Sequence, residues 1–304
     1  MINFKDVTLK YGNTVALNTI DIELPEHAIC GVIGRNGAGK TSLLSLISGY
    51  QKPTLGTVKV FDVDPYENSN LLPQIAFITN DNSEAKSGYK VKELLNMASV
   101  LRPKWDANYA SKLIKLFNIP TNKLIGSLSH GMQSAVDIII GLAGQTPVTI
   151  YDEAYLGMDA AMRKLFIGEL LADYMERPKL ILFSTHFVNE MEGLFSEVII
   201  IHQGQIMAHE ESDTFRTKGV AITGLGELVD NFSVGRKVLS QKTLGKQKEV
   251  VLFGELSKAD QKIAMDNDIE LSSPSLQDLF IYMTEEGGEK SDSKSNEICT
   301  EETS

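Results

Sequence analysis

Only two of the 304 residues are cysteine, Cys30 and Cys299. One lies in an apolar strand pattern and the other in a polar tail, so no disulfide framework is expected and the chain suits a reducing cytosol. No apolar run approaches the ~18 residues of a membrane-spanning helix. The longest, at 138–144 and 198–201, have the length of strands or buried helices. The opening Met1-Ile2-Asn3-Phe4-Lys5-Asp6 lacks a basic segment followed by an apolar one, so no secretory signal is read. A basic stripe is missing as well. Lys and Arg number 29 against 40 Asp and Glu, a formal net charge of −11. Such a chain matches a phosphate backbone poorly, and no nucleic acid is the expected partner. No internal repeat is visible. With 42% apolar and 23% charged residues, whole-chain disorder, collagen and a coiled-coil rod are also excluded.

What is present suits one large α/β domain or two domains. Residues 2–33 alternate apolar and polar around a turn at Tyr11-Gly12-Asn13. They predict strands at 2–9, 15–24 and 28–33. A helix pattern covers 39–48, and short strands are expected at 57–61 and 75–79. From about 90 to 143 the spacing turns helical: Val91, Leu94, Leu95 and Ala98 share one face, and Leu113, Ile114, Leu116 and Phe117 another. Buried strands are predicted at 148–151, 180–183 and 198–202, with a helix at 160–174 between the first two. This alternation implies a largely parallel sheet. The three glycines of 219–226 predict a linker. After it, a strand at 249–253 and a helix at 276–283 suggest a small second domain. Residues 285–304 carry seven acids and two lysines, −5 of the total charge, and are expected to be disordered.

The chemistry sits in Gly34-Arg35-Asn36-Gly37-Ala38-Gly39-Lys40-Thr41, which matches G-x-x-x-x-G-K-S/T. A chain of this length meets that pattern by chance roughly 1% of the time, and here an apolar strand precedes it and a helix pattern follows. Glycines let the backbone wrap so that successive N–H groups point at phosphate oxygens, and the positive end of the next helix adds to the field. Lys40 would reach the β- and γ-phosphates and Thr41 would place its hydroxyl on Mg²⁺. A plain glycine turn before a helix is the competing reading, and the flanking elements disfavour it. A second carboxylate is needed for the metal. The apolar Val148-Thr149-Ile150-Tyr151 ends in Asp152-Glu153, and in a parallel sheet that strand end lies beside the phosphate loop. Asp152 is expected to hold Mg²⁺ through water and Glu153 to polarise the attacking water. A guanine-reading N-K-x-D is absent, since Asn122-Lys123-Leu124-Ile125 lacks the Asp; ATP fits better.

The order of the remaining motifs resembles the ATP-binding subunit of an ABC transporter. The likeness covers residues 1 to about 215 and loosens beyond. Leu128-Ser129-His130-Gly131-Met132-Gln133 stands where that family has its L-S-G-G-Q signature. Ser129 and Gly131 match, while His130 replaces the first glycine and Met132 the glutamine. Asp152-Glu153-Ala154-Tyr155-Leu156-Gly157-Met158-Asp159 is similar to the family's D-E-P-x-x-G-L-D, which puts Asp159 in the D-loop. His186, in Phe183-Ser184-Thr185-His186, fits the switch histidine, and Tyr11 the aromatic that stacks on adenine. Where the family has a glutamine after 75–79, this chain has Asn80, one methylene shorter, still able to contact metal or water. Arg102-Pro103-Lys104-Trp105-Asp106, with the altered signature, resembles a Gram-positive exporter subgroup that includes the Ytr-type subunits and exporters of amphipathic peptides. Trp105 itself reads as helix packing, His130 as a tolerated substitution, and Asp137 as facing a polar partner or the surface.

The resemblance implies a P-loop NTPase fold of ABC type: a parallel core sheet, an N-terminal antiparallel β part, a helical subdomain and a small C-terminal α+β domain. The expected boundaries are 1–218 for the ATP-binding domain, with the helical subdomain at about 81–145; 219–284 for the accessory domain; and 285–304 for the acidic tail. The nucleotide set would be Tyr11, Gly34 to Ser42, Asn80, Ser129, Gly131 and Asp159. Metal would fall to Thr41, Asp152 and Asn80, and catalysis to Lys40, Glu153 and His186. Each ATP would be capped by the signature of a second ATP-binding subunit, identical or related. Polytopic membrane subunits would carry the cargo, docked through the helical region, with this chain on the cytoplasmic face of the membrane. A soluble ABC-type ATPase of the iron–sulfur-assembly kind and a regulatory subunit of low turnover stay open as alternatives.

Overall fold

The computed structural model describes residues 2–79, 84–185 and 188–285. The alternation at the N-terminus becomes an antiparallel hairpin of β1 (Ile2–Tyr11) and β2 (Thr14–Leu24), closed where Gly12 takes a left-handed φ of 58°. The chain then enters a second sheet as β3 (Ala28–Ile33), and β4 (Leu55–Val60) returns to pair with β1, giving the order β2-β1-β4.

The second sheet adds β5 (Ile75–Thr79), β6 (Val148–Asp152), β7 (Leu180–Thr185), β8 (Glu197–His202) and β9 (Gln205–Glu211). Its order is β5-β6-β7-β3-β8-β9; all neighbours are parallel except β9, which closes the edge antiparallel to β8. The parallel strands read as unbroken apolar runs because both faces are covered. Alternate residues divide between two cores. Ile29, Tyr151, Ile181, Phe183 and Ile200 face one, and Cys30, Ile150, Leu182 and Ile199 face the other. The three-stranded sheet and α1 (Lys40–Ile47) cover the second face. The first is covered by α3 (Val91–Leu101), α4 (Ala107–Leu116), α5 (His130–Ala143) and α6 (Ala160–Glu176). Before α3 runs the short α2 (Glu84–Ser87), whose Lys86 reaches Asp137 of α5 at 3.1 Å. Trp105 is half-buried against this core. The short α7 (Val188–Met191) and α8 (Ser212–Arg216) flank β8 and β9.

A third sheet, fully antiparallel, has the order β11-β12-β10-β13, from β10 (Gly219–Leu225), β11 (Val238–Leu244), β12 (Gln247–Phe253) and β13 (Glu270–Ser272). With α9 (Gly226–Ser233) and α10 (Lys258–Asp266) it encloses its own core of Ile222, Val229, Val250, Leu252, Ala264 and Ile269. The linker expected at 219–226 is therefore corrected: 219–225 is an inner strand. Its glycine marks a close approach, because a Cβ at Gly219 would stand 2.4 Å from Leu279.

Leu279 belongs to α11 (Leu276–Glu285). That helix does not complete the third core. Leu276, Leu279 and Phe280 join the main core with Val188, Phe195 and Phe215, and the backbone N–H of Leu276 donates to Glu192 at 2.9 Å. The last described helix is thus seated on the part built around the parallel sheet. Of the 285–304 tail, all but the first residue lies outside the described residues.

Candidate functional site

Four strand ends meet at one edge. In register, Thr79 of β5 lies beside Asp152 of β6, Asp152 beside Ser184 of β7, and Ile33 of β3 beside Thr185 of β7. The loop from Gly34 leaves this edge and wraps into α1. Gly37 and Gly39 hold φ of 81° and 110°, where a Cβ would be strained. Gly39 has no room either, since a Cβ would sit 2.7 Å from the carbonyl of Ala16. α1 starts with no side-chain cap and no acid in its first turn. Its first N–H groups and positive dipole end are left for an anion.

Lys40 is 6% exposed, an unusual position for lysine. Its ammonium donates to the carbonyls of Gly34 at 2.8 Å and Arg35 at 3.2 Å. Burial pushes its pKa below the ordinary lysine value, and the negative fields of Glu153 and then Asp152 oppose that shift. One basic and two acidic groups thus share this edge. Asp152 is buried, and its Oδ1 has no hydrogen-bond partner among the described residues. The Ser184 hydroxyl, one strand over, is in the same condition. Orphaned buried polar atoms are rare. Glu153 follows in the left-handed region, φ 52°, with its N–H donated to the carbonyl of Ser184 at 3.1 Å.

The residues of the altered signature form a second cluster. Ser129 caps α5, its hydroxyl accepting from the N–H of Met132. Gly131 packs so tightly that a Cβ would lie 2.8 Å from the carbonyl of Gly157. Ser134 donates to the carbonyl of Leu156 at 2.8 Å. Asp159 caps α6 through the N–H of Met162 at 2.8 Å. The structure therefore joins the start of α5 to the turn that follows Glu153.

Tyr11 ends β1 with 46% of its surface exposed. Arg35, Asn36, Gly37 and Thr41 are exposed, Ser42 is half-buried and Ala38 is buried. Asn80 and His186 lie outside the described residues. Three further residues neighbour the site. Tyr155, buried below the turn, hydrogen-bonds through its hydroxyl to Thr185 Oγ1. Gln277 and Phe280 of α11 line a cavity of about 290 Å³ with Gly34, Arg35 and Thr185.

Residues 17–156 match the family described as ABC transporter. That stretch is similar to the ATP-binding part of ABC transporters. It is 22% identical over 222 residues to the ABC transporter ATP-binding protein YtrB of Bacillus subtilis, covering 73% of this chain and 76% of the relative. To the bacitracin transport ATP-binding protein BcrA of Bacillus licheniformis it is 28% identical over 210 residues, 68% of each chain. Among solved structures, the dimeric post-hydrolysis state of the ATP-binding cassette MJ0796, bound to ADP and Pi, matches with a TM-score of 0.60 at 20% identity. That match covers 70% of this chain and 99% of the other. The ABC fold explains the layout: an antiparallel β part, a parallel nucleotide sheet and a helical part between β5 and β6. No helix among the described residues is long and apolar enough to cross a membrane.

Proposed function

We propose that the chain binds and hydrolyses ATP to power an ABC transporter, an exporter, through separate membrane subunits at the cytoplasmic face of the membrane. The observation that carries this reading is the buried Lys40 held at one sheet edge with Asp152 and Glu153, beside an uncapped helix N-terminus. YtrB and BcrA, both transporter ATP-binding proteins by name, support it.

ATP would enter over the loop 34–39, with Tyr11 stacking on adenine and the loop amides taking the phosphates. Lys40, whose ammonium donates to the carbonyls of Gly34 and Arg35, would supply charge to the β/γ oxygens. The orphaned Oδ1 of Asp152, with exposed Thr41, suits Mg²⁺, held directly or through water, with Asn80 as a further contact. Such an ion would neutralise phosphate charge. Glu153 would accept the proton of the attacking water, and His186 would steady the γ-phosphate side. Ser129, Gly131 and Asp159 would serve the nucleotide held by a second ATP-binding subunit, across a shared interface.

The domain reading is 1–218 for the ATPase, with 81–145 as its helical subdomain, and 219–284 as an accessory domain whose last helix returns to the first. For the membrane partner, a cavity of about 510 Å³ lined by Gly49, Tyr50, Leu72, Phe77, Leu101 and Arg102 offers a seat. Tyr50, Val100 and Leu101 are 71%, 78% and 67% exposed beside it, an apolar surface suited to a helix of a membrane subunit. Turnover of ATP by the purified chain tests the reading. Lys40→Ala is expected to abolish binding and turnover while far-UV circular dichroism stays unchanged. Tyr50→Glu/Leu101→Glu should leave soluble turnover intact and release the chain from membranes of its host.

A further inference from the structure

Between Glu153 and Asp159 the chain makes a tight turn, with Leu156 N–H on the carbonyl of Glu153 and Met158 N–H on that of Tyr155, 3.1 and 3.2 Å. The turn faces two ways. Outward, Leu156 and Gly157 touch the start of α5. Inward, Tyr155 is 2% exposed, and its hydroxyl pairs with Thr185, the last residue of β7. A second link follows: Arg163 on α6 pairs with Glu190 on α7. The turn and the helix after it are thereby tied to Thr185 at the end of β7 and to Glu190 on α7. Glu153 itself stands in the left-handed backbone region, which persists only when surrounding contacts over-determine it.

We infer that Tyr155 is a positioning residue for ATP hydrolysis: its hydroxyl, through Thr185, fixes the turn that carries Glu153 against the end of β7. A phenylalanine would fill the same space, so burial alone does not call for the hydroxyl. Polar atoms in a buried location are costly unless paired, and this one finds its partner at the strand end beside the phosphate loop. The inward hold complements the outward one. Together they place one short turn between the carboxylate, the α5 N-terminus and the end of β7. The position of the base then depends on both neighbours and not on the backbone of the turn alone. Burial raises the Tyr155 pKa, so the hydroxyl stays protonated and able to donate at neutral pH.

This rests on the reading of Glu153 as the base, so three variants are compared under one assay. Tyr155→Phe removes one oxygen; it is expected to lower kcat for ATP about tenfold while KM, nucleotide affinity and melting temperature stay near wild type. A merely structural role would move melting temperature and KM as well. Thr185→Val should reproduce the effect, and the double variant should be no slower than the slower single one, as one shared bond requires. Unchanged kcat in Tyr155→Phe, or multiplying effects in the double variant, overturns the inference. Loss of ATP binding in Tyr155→Phe does so too. Glu153→Gln, measured alongside, separates the two readings: if it turns over normally the base assignment fails, whereas a slow Glu153→Gln with a normal Tyr155→Phe removes Tyr155 alone.

Discussion

Gly131 is where the smallest change would be felt most sharply at the residue scale. A Cβ there meets the carbonyl oxygen of Gly157 at 2.8 Å, and Gly157 itself holds φ 89°. The obstacle is backbone, which cannot rotate away, so Gly131→Ala must displace either α5 or the turn. Overpacking of this kind costs about 1–3 kcal/mol. Displacing a reacting group by about an ångström costs on the order of 10²-fold in rate. Gly131→Ala is therefore expected to melt a few degrees lower and to lose far more turnover than stability; equal turnover in the variant and the parent would refute the tight joint. Legibility at this scale followed chain distance. That Lys40, Asp152 and Glu153 meet at one sheet edge was legible because the loop and its helix, and the strand and its two acids, are each written in consecutive residues. Tyr155 was not, because its partner Thr185 is 30 residues away and a tyrosine after an acidic pair has no pattern of its own. Gln277 and Phe280, beside Gly34, could be placed only by the fold.

Among elements, strands and helices with strong periodicity were read nearly as they stand, and misreadings arose where tertiary contact overrode local composition. The strand predicted at 57–61 runs Leu55–Val60, and the helix predicted at 160–174 runs Ala160–Glu176. β9 and β11 went unread: β9 is a polar edge strand and β11 a largely exposed one, so neither shows an apolar run. The glycines of 219–226 looked like freedom, and Gly219 is instead clearance for Leu279. That inversion changes what a truncation should do. Removing 286–304 is expected to leave melting temperature and turnover as they are, since the acidic segment lacks apolar periodicity. Removing 219–304 takes α11 with it and uncovers Val188, Phe195 and Phe215. Three buried side chains of about 1.5–3 kcal/mol each are lost, against a total stability of about 5–15 kcal/mol. The shortened chain should aggregate or melt many degrees lower. A point variant isolates the cause. Leu279→Ala, at a fully buried site, should cost about 2–5 kcal/mol, read from denaturant unfolding. A cost near zero would mean that the helix is not seated.

For the whole molecule, the two halves of the proposed catalytic machinery lie at different places in the fold. Lys40, Asp152 and Glu153 share the end of the parallel sheet. Exposed Ser129 caps α5 at the joint with Gly157 and has its hydroxyl engaged by its own helix. A second subunit would bring its own Ser129 to the first subunit's nucleotide, as the proposed mechanism requires, and ATP would then act as the adhesive between copies. Glu153→Gln tests that arrangement because it separates binding from turnover. Glutamine keeps the size of the side chain but accepts no proton, so hydrolysis should slow by a factor on the order of 10² to 10⁴. Lys40, Thr41, Asp152 and the loop amides remain, so ATP should still bind. A ligand that favours the paired state stabilises it in proportion to its differential affinity, and two trapped ATP molecules act together. Size-exclusion chromatography of Glu153→Gln is expected to show a dimer with ATP and a monomer without it. Adding Ser129→Arg, which places a long cation where the γ-phosphate of the opposite subunit would sit, should return the monomer. A dimer that ignores Ser129→Arg would mean that this face is not the shared one. A chain that stays monomeric with ATP alone but pairs when a related ATP-binding subunit is supplied would identify a heterodimer instead, with the signature of that partner completing the site.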